Sequence, residues 1–363
     1  MCKEDVSVKT IDQLDRNMAI VARVDEPEVE WRDARKAPFR ICGLYEPQAE
    51  GPFRLMPENV AKRVSEGVAQ LALNTAGGRV RFRTDSPYVA IHAEMNSVCR
   101  MDHMAFTGIF GFDLYGRKGG EEVYLGTFRP PVDLQTGYES KIALPDGGEW
   151  DVTIYFPLYN NVDRLWIGLK EGCALAAPCE YEFSRPVVFY GSSITQGGCA
   201  SRPGNSFAAI ASRMLDCDHV NLGFSGNAKG EAIMAEYIAG LPMCAFVLDY
   251  DHNAPSVEHL RATHEPFFQT VRAANPDLPI LLVSKPDVNW RNQADALERR
   301  TVILDTYQHA LAAGDRHVAF LDGFMLFDGP MRDSCTVDGC HPNDLGMMRM
   351  GAKMAGALSA LLV

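Results

Sequence analysis

The sequence predicts a two-domain protein: an N-terminal all-β sandwich of jelly-roll type, followed by an α/β/α domain with a five-stranded parallel sheet. Three observations lead to this prediction. The 363 residues exceed what one ordinary hydrophobic core needs. Strand-like alternation dominates up to about residue 170, and from about residue 185 apolar strands alternate with amphipathic helices. We therefore assign residues 1–183 to the first domain and residues 184–363 to the second.

The N-terminal prediction depends on short alternating segments that Gly, Pro and Asp turns separate, a pattern typical of sandwiches. Trp31, Phe39 and segment 43–45 predict edge strands, and segment 59–73 predicts one short helix. The main predicted strands cover residues 80–83, 88–93, 108–115, 123–126, 150–156 and 164–169.

The C-terminal prediction depends on strict alternation of strands and helices, which indicates a parallel sheet with helices on both faces. In such a sheet the reactive groups gather at the carboxyl ends of the strands. The predicted strands cover residues 187–190, 219–222, 245–250, 280–284 and 318–321, and the predicted helices cover 206–215, 231–239, 257–274, 293–313 and 344–361.

Composition excludes several classes of partner. A net charge of −12 argues against nucleic acid or an anionic membrane surface as a partner. The chain shows neither an apolar signal core after Met1 nor a membrane-length apolar run, so we expect a cytoplasmic protein. The ten cysteines include no C-x-x-C pair, so the sequence predicts no zinc knuckle, no redox motif and no cofactor.

Two segments carry the parts of a serine hydrolase. Ser193 follows the apolar run 186–190 within a Gly-Ser-Ser turn, at the expected carboxyl edge of the first parallel strand. His341 lies three residues after Asp338, in the loop between the last strand and the last helix. A carboxylate at this spacing can accept a hydrogen bond from the imidazole and fix its tautomer, so that the histidine can take the serine proton.

Two further loops offer groups for an oxyanion hole. Gly226 follows the second strand and can present a backbone N–H, and Asn253 follows the third strand with a side-chain amide. Together with the Ser193 N–H they would give three donors to a developing negative charge. Taken singly, the two residues also fit a turn glycine and a helix-capping asparagine.

The segment 191–194, Gly226, Asn253 and Asp338-x-x-His341 resemble the four sequence blocks of the SGNH (GDSL-type) hydrolase superfamily. With the β-rich leader, the chain resembles bacterial SGNH carbohydrate esterases that carry an N-terminal jelly roll. The resemblance implies Ser193 as nucleophile, His341 as base, Asp338 as its partner, and Ser193, Gly226 and Asn253 as the oxyanion hole. There are two departures: Ser192 replaces the usual Asp, and segment 251–254 replaces the usual Gly-x-Asn-Asp.

These residues predict a metal-independent serine esterase that removes O-acyl groups, above all acetyl, from a small-molecule or oligosaccharide substrate. An acyltransferase with the same triad and a carbohydrate-binding protein with little hydrolytic activity are the alternatives. Arg202 and Trp290 lie on loops at the same rim, where a guanidinium and an indole can hold a sugar. The sequence leaves open whether His103 and Tyr159 of the β domain reach across the cleft. Cys199 and Cys340 are interpreted as packing residues, with a cysteine nucleophile as the alternative.

Overall fold

The computed structural model describes residues 9–15, 18–20, 23–145, 147–286 and 293–362. It confirms the predicted fold class, because two antiparallel sheets precede an α/β domain with a five-stranded parallel sheet. No helix among the described residues is both long enough and apolar enough to cross a bilayer.

The N-terminal domain contains ten strands and four short helices within those ranges. The strands are β1 (Val29–Asp33), β2 (Arg40–Cys42), β3 (Arg79–Thr84), β4 (Tyr88–Glu94), β5 (Phe112–Lys118), β6 (Glu121–Phe128), β7 (Gly137–Ala143), β8 (Trp150–Tyr155), β9 (Arg164–Lys170) and β10 (Leu175–Ala176). The helices are α1 (Ile11–Leu14), α2 (Glu58–Val64), α3 (Glu66–Leu71) and α4 (Phe106–Phe110).

These strands form a jelly roll. One sheet has the order β1-β9-β4-β7, and the other has the order β10-β3-β8-β5-β6 with β2 paired to β3. Five of the connections between consecutive strands from β3 to β9 pass from one sheet to the other, so the two sheets enclose one core. Val80 and Phe82 of β3 and Val89 and Ile91 of β4 all lie in that core.

Three local predictions in this domain are wrong. Segment 108–115 is not one strand, since its first residues belong to helix α4 and β5 begins only after Gly111. Segment 59–73 forms two helices because Ser65 ends the first and caps the second, accepting a hydrogen bond from the Val68 N–H. Segment 43–45 is not a strand, since β2 ends before Gly43, which turns the chain with a φ of 74°.

The C-terminal domain follows the predicted alternation closely. Its strands are β11 (Phe183–Gly191), β12 (Cys217–Gly223), β13 (Ala245–Asp249), β14 (Ile280–Val283) and β15 (Val318–Leu321). Its helices are α5 (Ser193–Gln196), α6 (Phe207–Met214), α7 (Ala232–Ala239), α8 (Val257–Ala274), α9 (Gln293–Ala312), α10 (Gly323–Leu326) and α11 (Asp344–Leu361).

The parallel sheet has the order β12-β11-β13-β14-β15, and alternate residues of β11 enter different cores. Val187 and Phe189 pack in the core shared with helices α6 and α11, which also continues into the β sandwich. Val188 and Tyr190 pack in the core shared with α7, α8 and α9. Burial on both faces explains why segment 187–190 of this strand is entirely apolar.

Candidate active site

Strand register brings three of the candidate loops to one level. Gly191, the last residue of β11, pairs with Gly223 of β12 on one side and with Asp249 of β13 on the other. All three residues are at or next to the carboxyl end of their strands. The loops that carry Ser193, Gly226 and Asn253 therefore leave the same edge of the sheet side by side.

The turn that presents Ser193 is tightly determined. A Cβ atom on Gly191 would lie 2.1 Å from Thr195 Oγ1 and 2.2 Å from the Asp249 carbonyl oxygen, so a larger residue has no space there. Ser192 Oγ accepts a hydrogen bond from the Ile194 N–H at 3.1 Å and so caps helix α5. Ser193 is the first residue of this single-turn helix, where the sequence predicted only a turn. The capping role of Ser192 also explains how serine can stand at a position where the superfamily usually has Asp.

The structure brings the predicted triad together from two remote segments. Ser193 Oγ lies 2.9 Å from His341 Nε2, and His341 Nδ1 lies 2.7 Å from Asp338 Oδ2. Both distances are those of good hydrogen bonds. Ser193 and His341 are half-buried and therefore accessible from the cleft. Hydroxyl, imidazole and carboxylate are thus connected in the order that nucleophilic catalysis requires.

The Asp338 carboxylate is held by three donors. Oδ1 accepts hydrogen bonds from the backbone N–H groups of His341 at 2.7 Å and Cys340 at 2.9 Å, while Oδ2 faces the imidazole. Partial burial by itself would raise the pKa of Asp338, but the hydrogen bonds from His341 and Cys340 outweigh it and lower the pKa to about 2. The Asp338 carboxylate is therefore ionised at neutral pH and can stabilise the imidazolium that forms when His341 accepts a proton.

Three potential oxyanion donors lie on the neighbouring loops at this edge of the sheet. Within the described ranges, the backbone N–H groups of Ser193 and Gly226 donate to no protein acceptor. Gly226 has a φ of 67°, and a Cβ atom there would meet no protein atom within 4 Å. Its backbone conformation, rather than crowding by neighbouring protein atoms, thus favours glycine. One N–H of the Asn253 amide donates to the Phe224 carbonyl at 2.9 Å, which orients the amide and leaves its second N–H for a ligand.

The wall around Asn253 differs from the superfamily pattern, as the sequence indicated. Residues Asp251–Asn253 form a turn of 3₁₀ helix. Arg299 Nη1 donates to the carbonyls of Asp251 at 2.7 Å and Ala254 at 2.9 Å, and the Lys285 N–H donates to Asp251 Oδ2 at 3.0 Å. These contacts hold in place the turn that carries Asn253.

The β domain contributes directly to the site. The Tyr159 hydroxyl donates to the Ser193 carbonyl at 3.0 Å, and Gln196 Nε2 donates to the Leu158 carbonyl at 3.2 Å. The ring of His103, in the loop between β4 and α4, lies edge-on to that of His341 with centroids 5.5 Å apart. The structure therefore answers the question that the sequence left open: both β-domain residues reach the cleft, and the domain supports the loop that carries the nucleophile.

Arg202 has contacts different from those the sequence predicted. Its guanidinium donates from Nη1 to Asp113 Oδ2 at 2.9 Å and to the Tyr115 hydroxyl at 2.8 Å, and it stacks on Tyr124 at 3.9 Å. The Asp113 side chain is fully buried. The guanidinium thus joins the two domains, and these contacts do not support a sugar-binding role. Trp290, the other predicted substrate residue, lies outside the described residues.

The cysteine alternative for the nucleophile finds no support. Cys199 is buried, and burial, with smaller contributions from Asp338 and Cys340, raises the pKa of its thiol to about 12. Reactive cysteines require a lowered thiol pKa. Cys340 Sγ lies 3.8 Å from His252 Nδ1. Cys199 therefore fits the packing interpretation better than a nucleophilic one.

Sequence reasoning missed a buried support beneath the nucleophile turn. Thr195 Oγ1 donates to Asp249 Oδ2 at 3.0 Å, and Asn221 Nδ2 donates to the Thr195 carbonyl at 2.7 Å. Complete burial and the nearby Asp251 raise the pKa of Asp249 well above its usual range. Asp249 at the end of a predicted strand and Thr195 two residues after the nucleophile were the available signals, but only the strand register shows that they meet.

Fold and site together define a serine hydrolase of the SGNH class. Residues 184–359 match the GDSL-like Lipase/Acylhydrolase family, and residues 29–175 match the GxDLY family, described as the N-terminus of Esterase_SGNH_hydro-type. The chain belongs to the SGNH esterase/lipase family and carries this N-terminal domain. The letters G-x-D-L-Y occur at 111–115, which includes Asp113 and Tyr115, the partners of Arg202.

Several solved structures have the same architecture. A candidate GDSL-like lipase from Bacteroides ovatus is 27% identical, with a TM-score of 0.81 over 92% of this chain and 98% of that one. A salicylyl-acyltransferase from a tetracycline biosynthetic pathway is 21% identical, with a TM-score of 0.75 over 93% and 98%. A family two carbohydrate esterase from Clostridium thermocellum, solved with cellohexaose, is 16% identical, with a TM-score of 0.59 over 79% and 93%. None of the curated proteins matches this chain.

Proposed function

We propose that this protein is a serine esterase that hydrolyses O-acyl esters of carbohydrates, with acetyl as the preferred acyl group, through an acyl-enzyme on Ser193. The observation that carries the proposal is the continuous chain from Ser193 Oγ through His341 to Asp338, at 2.9 Å and 2.7 Å. A hydroxyl by itself is a weak nucleophile and needs an adjacent, oriented base.

The proposed reaction follows from this geometry. His341 Nε2 takes the proton as Ser193 Oγ attacks the ester carbonyl, and Asp338 stabilises the imidazolium that forms. The N–H groups of Ser193, Gly226 and Asn253 stabilise the negative oxygen of the tetrahedral intermediate. The imidazolium then protonates the leaving sugar hydroxyl, and water repeats the sequence to release the acid.

The preference for a hydrophilic alcohol is supported by the polar side chains around the triad. Ser225, His252 and His103 lie close to the site, and their side chains are short or polar. Such a rim provides hydrogen-bonding groups for a sugar. The likeness to a carbohydrate esterase solved with cellohexaose agrees with this proposal.

Ser193→Ala tests the nucleophile. The variant should lose hydrolysis of an aryl acetate while its circular dichroism spectrum and thermal unfolding stay those of the wild type. Mass spectrometry of the wild type, quenched during turnover, should find the acetyl group on the peptide that contains Ser193. Wild-type turnover by Ser193→Ala would overturn the assignment.

The substrate class needs a separate measurement. Acetylated oligosaccharides incubated with the wild type should lose acetyl groups, detected by mass spectrometry, and free acetate should appear in equal amount. Accumulation of acyl groups on an added alcohol acceptor instead of acetate would identify an acyltransferase. Saccharide binding to Ser193→Ala without any turnover by the wild type would identify a binding protein.

A further inference from the structure

Three metal-binding side chains from separate segments converge beside the nucleophile. One ligand atom each from His103, Cys199 and His341 lies within 4.8 Å of the other two. His103 comes from the β domain, Cys199 follows helix α5, and His341 precedes helix α11. This group is therefore assembled only when the two domains pack together.

We propose that His103, Cys199 and His341 form an inhibitory zinc site in which Zn²⁺ captures the imidazole of the catalytic base. A thiolate and two imidazoles are donors that zinc favours, with a fourth position left for water. Ligand atoms around tetrahedral zinc are roughly 3.3 to 3.6 Å apart, given Zn–S and Zn–N bonds of about 2.3 and 2.0 to 2.1 Å. Bringing atoms from 4.8 Å apart to this separation requires a movement of about 1.2 to 1.5 Å, and one of the three ligands, His103, is an exposed loop residue.

The second ring nitrogen of His341 supports this assignment. Nδ1 is held by Asp338 Oδ2 at 2.7 Å, which leaves Nε2 as the nitrogen that can bind a metal. A carboxylate behind a zinc-binding histidine orients the ring and makes its free nitrogen a better ligand. The hydrogen bond between Nδ1 and Asp338 that orients His341 for catalysis therefore also orients it for zinc binding.

Zinc binding has a defined chemical consequence. A Zn–Sγ bond forms as the Cys199 thiol releases its proton to solvent, and a Zn–Nε2 bond replaces the hydrogen bond from Ser193 Oγ. The hydroxyl then has no base to accept its proton, so attack by Ser193 on an ester stops. Removing the metal restores the original contact without any covalent change, which makes the inhibition reversible.

Metal binding can be measured without any reference to catalysis. Calorimetric titration of the full chain with zinc should show one site, and Co²⁺ should give a thiolate-to-cobalt absorption band in the near ultraviolet. His103→Gln and Cys199→Ser should each weaken zinc binding by more than about tenfold, since even outer contacts of a zinc ligand are worth about ten- to a hundredfold in affinity. Cys340→Ser is the matched control, because Cys340 adjoins the site without belonging to the trio.

Two outcomes would overturn the site: no binding by the wild type, or unchanged binding by His103→Gln and Cys199→Ser. Because Cys199 is buried, circular dichroism must show that Cys199→Ser folds, whereas the exposed His103 can be replaced with little risk to the core.

The inhibitory effect rests on the proposed esterase function and needs its own assay. Zinc should slow aryl acetate hydrolysis by the wild type, and a chelator should restore the rate. The zinc concentration that halves the rate, relative to the zinc-free rate of each protein, should rise at least about tenfold in His103→Gln. Equal zinc sensitivity of His103→Gln and the wild type would overturn the inhibitory role. If zinc binds but no ester is hydrolysed, the site stands and the proposed function fails.

Discussion

Replacing Asp338 by Asn changes one atom of the site and reverses a hydrogen bond. The amide oxygen can still accept from the backbone N–H groups of His341 and Cys340, which now donate to Oδ1 at 2.7 and 2.9 Å. The amide nitrogen then occupies the place of Oδ2, 2.7 Å from His341 Nδ1, and can only donate. Nδ1 must become the acceptor, so the ring proton moves to Nε2.

A proton on Nε2 prevents His341 from accepting the proton of Ser193 Oγ. In a serine hydrolase of unrelated fold, the same change of tautomer lowers kcat by about 10⁴, which corresponds to about 5.4 kcal/mol at about 1.36 kcal/mol for each factor of ten. Because both backbone contacts to the residue survive in Asp338→Asn, we expect a loss of this order in kcat with little change in KM or in thermal stability.

Steady-state hydrolysis of an aryl acetate, followed by absorbance at constant pH, measures this loss. Asp328→Asn is a matched control, since Asp328 is exposed in the same C-terminal segment and, among the described residues, its carboxylate accepts only from the Gly329 N–H at 2.9 Å. It should keep wild-type kinetics. If Asp338→Asn retained more than about a tenth of the wild-type kcat, the carboxylate would not determine the tautomer, and the reasoning about the triad would be wrong.

Three further predictions follow. Asn253→Ala should lower kcat about a hundredfold or more, roughly 3 kcal/mol, with KM nearly unchanged in the aryl acetate assay; an unchanged kcat would remove the amide from the oxyanion hole. Arg202→Met should lower the free energy of unfolding, measured by urea denaturation, by about 3 to 5 kcal/mol, because Asp113 would remain buried without its cation. A raised KM at unchanged stability would instead favour the sugar-binding role. A carbon-13 NMR titration of the Asp338 carboxyl should have its midpoint near the lowered pKa of about 2. The ionised carboxylate then stabilises the fold fully above the ordinary pKa of 3.8, and this stabilisation is lost as the pH falls toward 2. A midpoint at the ordinary value would contradict the three hydrogen bonds to this carboxylate.

The β domain is part of the catalytic architecture rather than a separate attachment. Asp113 accepts from Arg202 and from the Gly204 N–H at 2.8 Å, and the Thr107 hydroxyl donates to the Ser201 carbonyl at 2.6 Å. These contacts fix the chain just after the nucleophile helix α5. Since an acyl-transfer site tolerates only small displacements of its groups, the domain interface contributes to the precision of the site.

Local sequence patterns were sufficient for most of the C-terminal domain. Helices α8 and α11 begin and end at the predicted residues, and β15 does as well. Strand and helix patterns there are strong because each element is buried on a regular face. The β domain was harder, since short edge strands such as β1 and the partly exposed β7 give little alternation. Helix α4 was missed because its residues are as apolar as those of a buried strand.

The amino-acid sequence supplies the reactive groups and the two fold patterns: a serine after a buried strand, a carboxylate three residues before a histidine, and a glycine and an asparagine after later strands. Which residues far apart in the chain come into contact is visible only in the folded protein. Strand register sets Gly191 level with Asp249, domain packing turns Arg202 toward Asp113, and the same packing places His103 beside His341 and Cys199. Local patterns report which face of an element is buried, whereas contacts between distant segments depend on the summed packing of both domains.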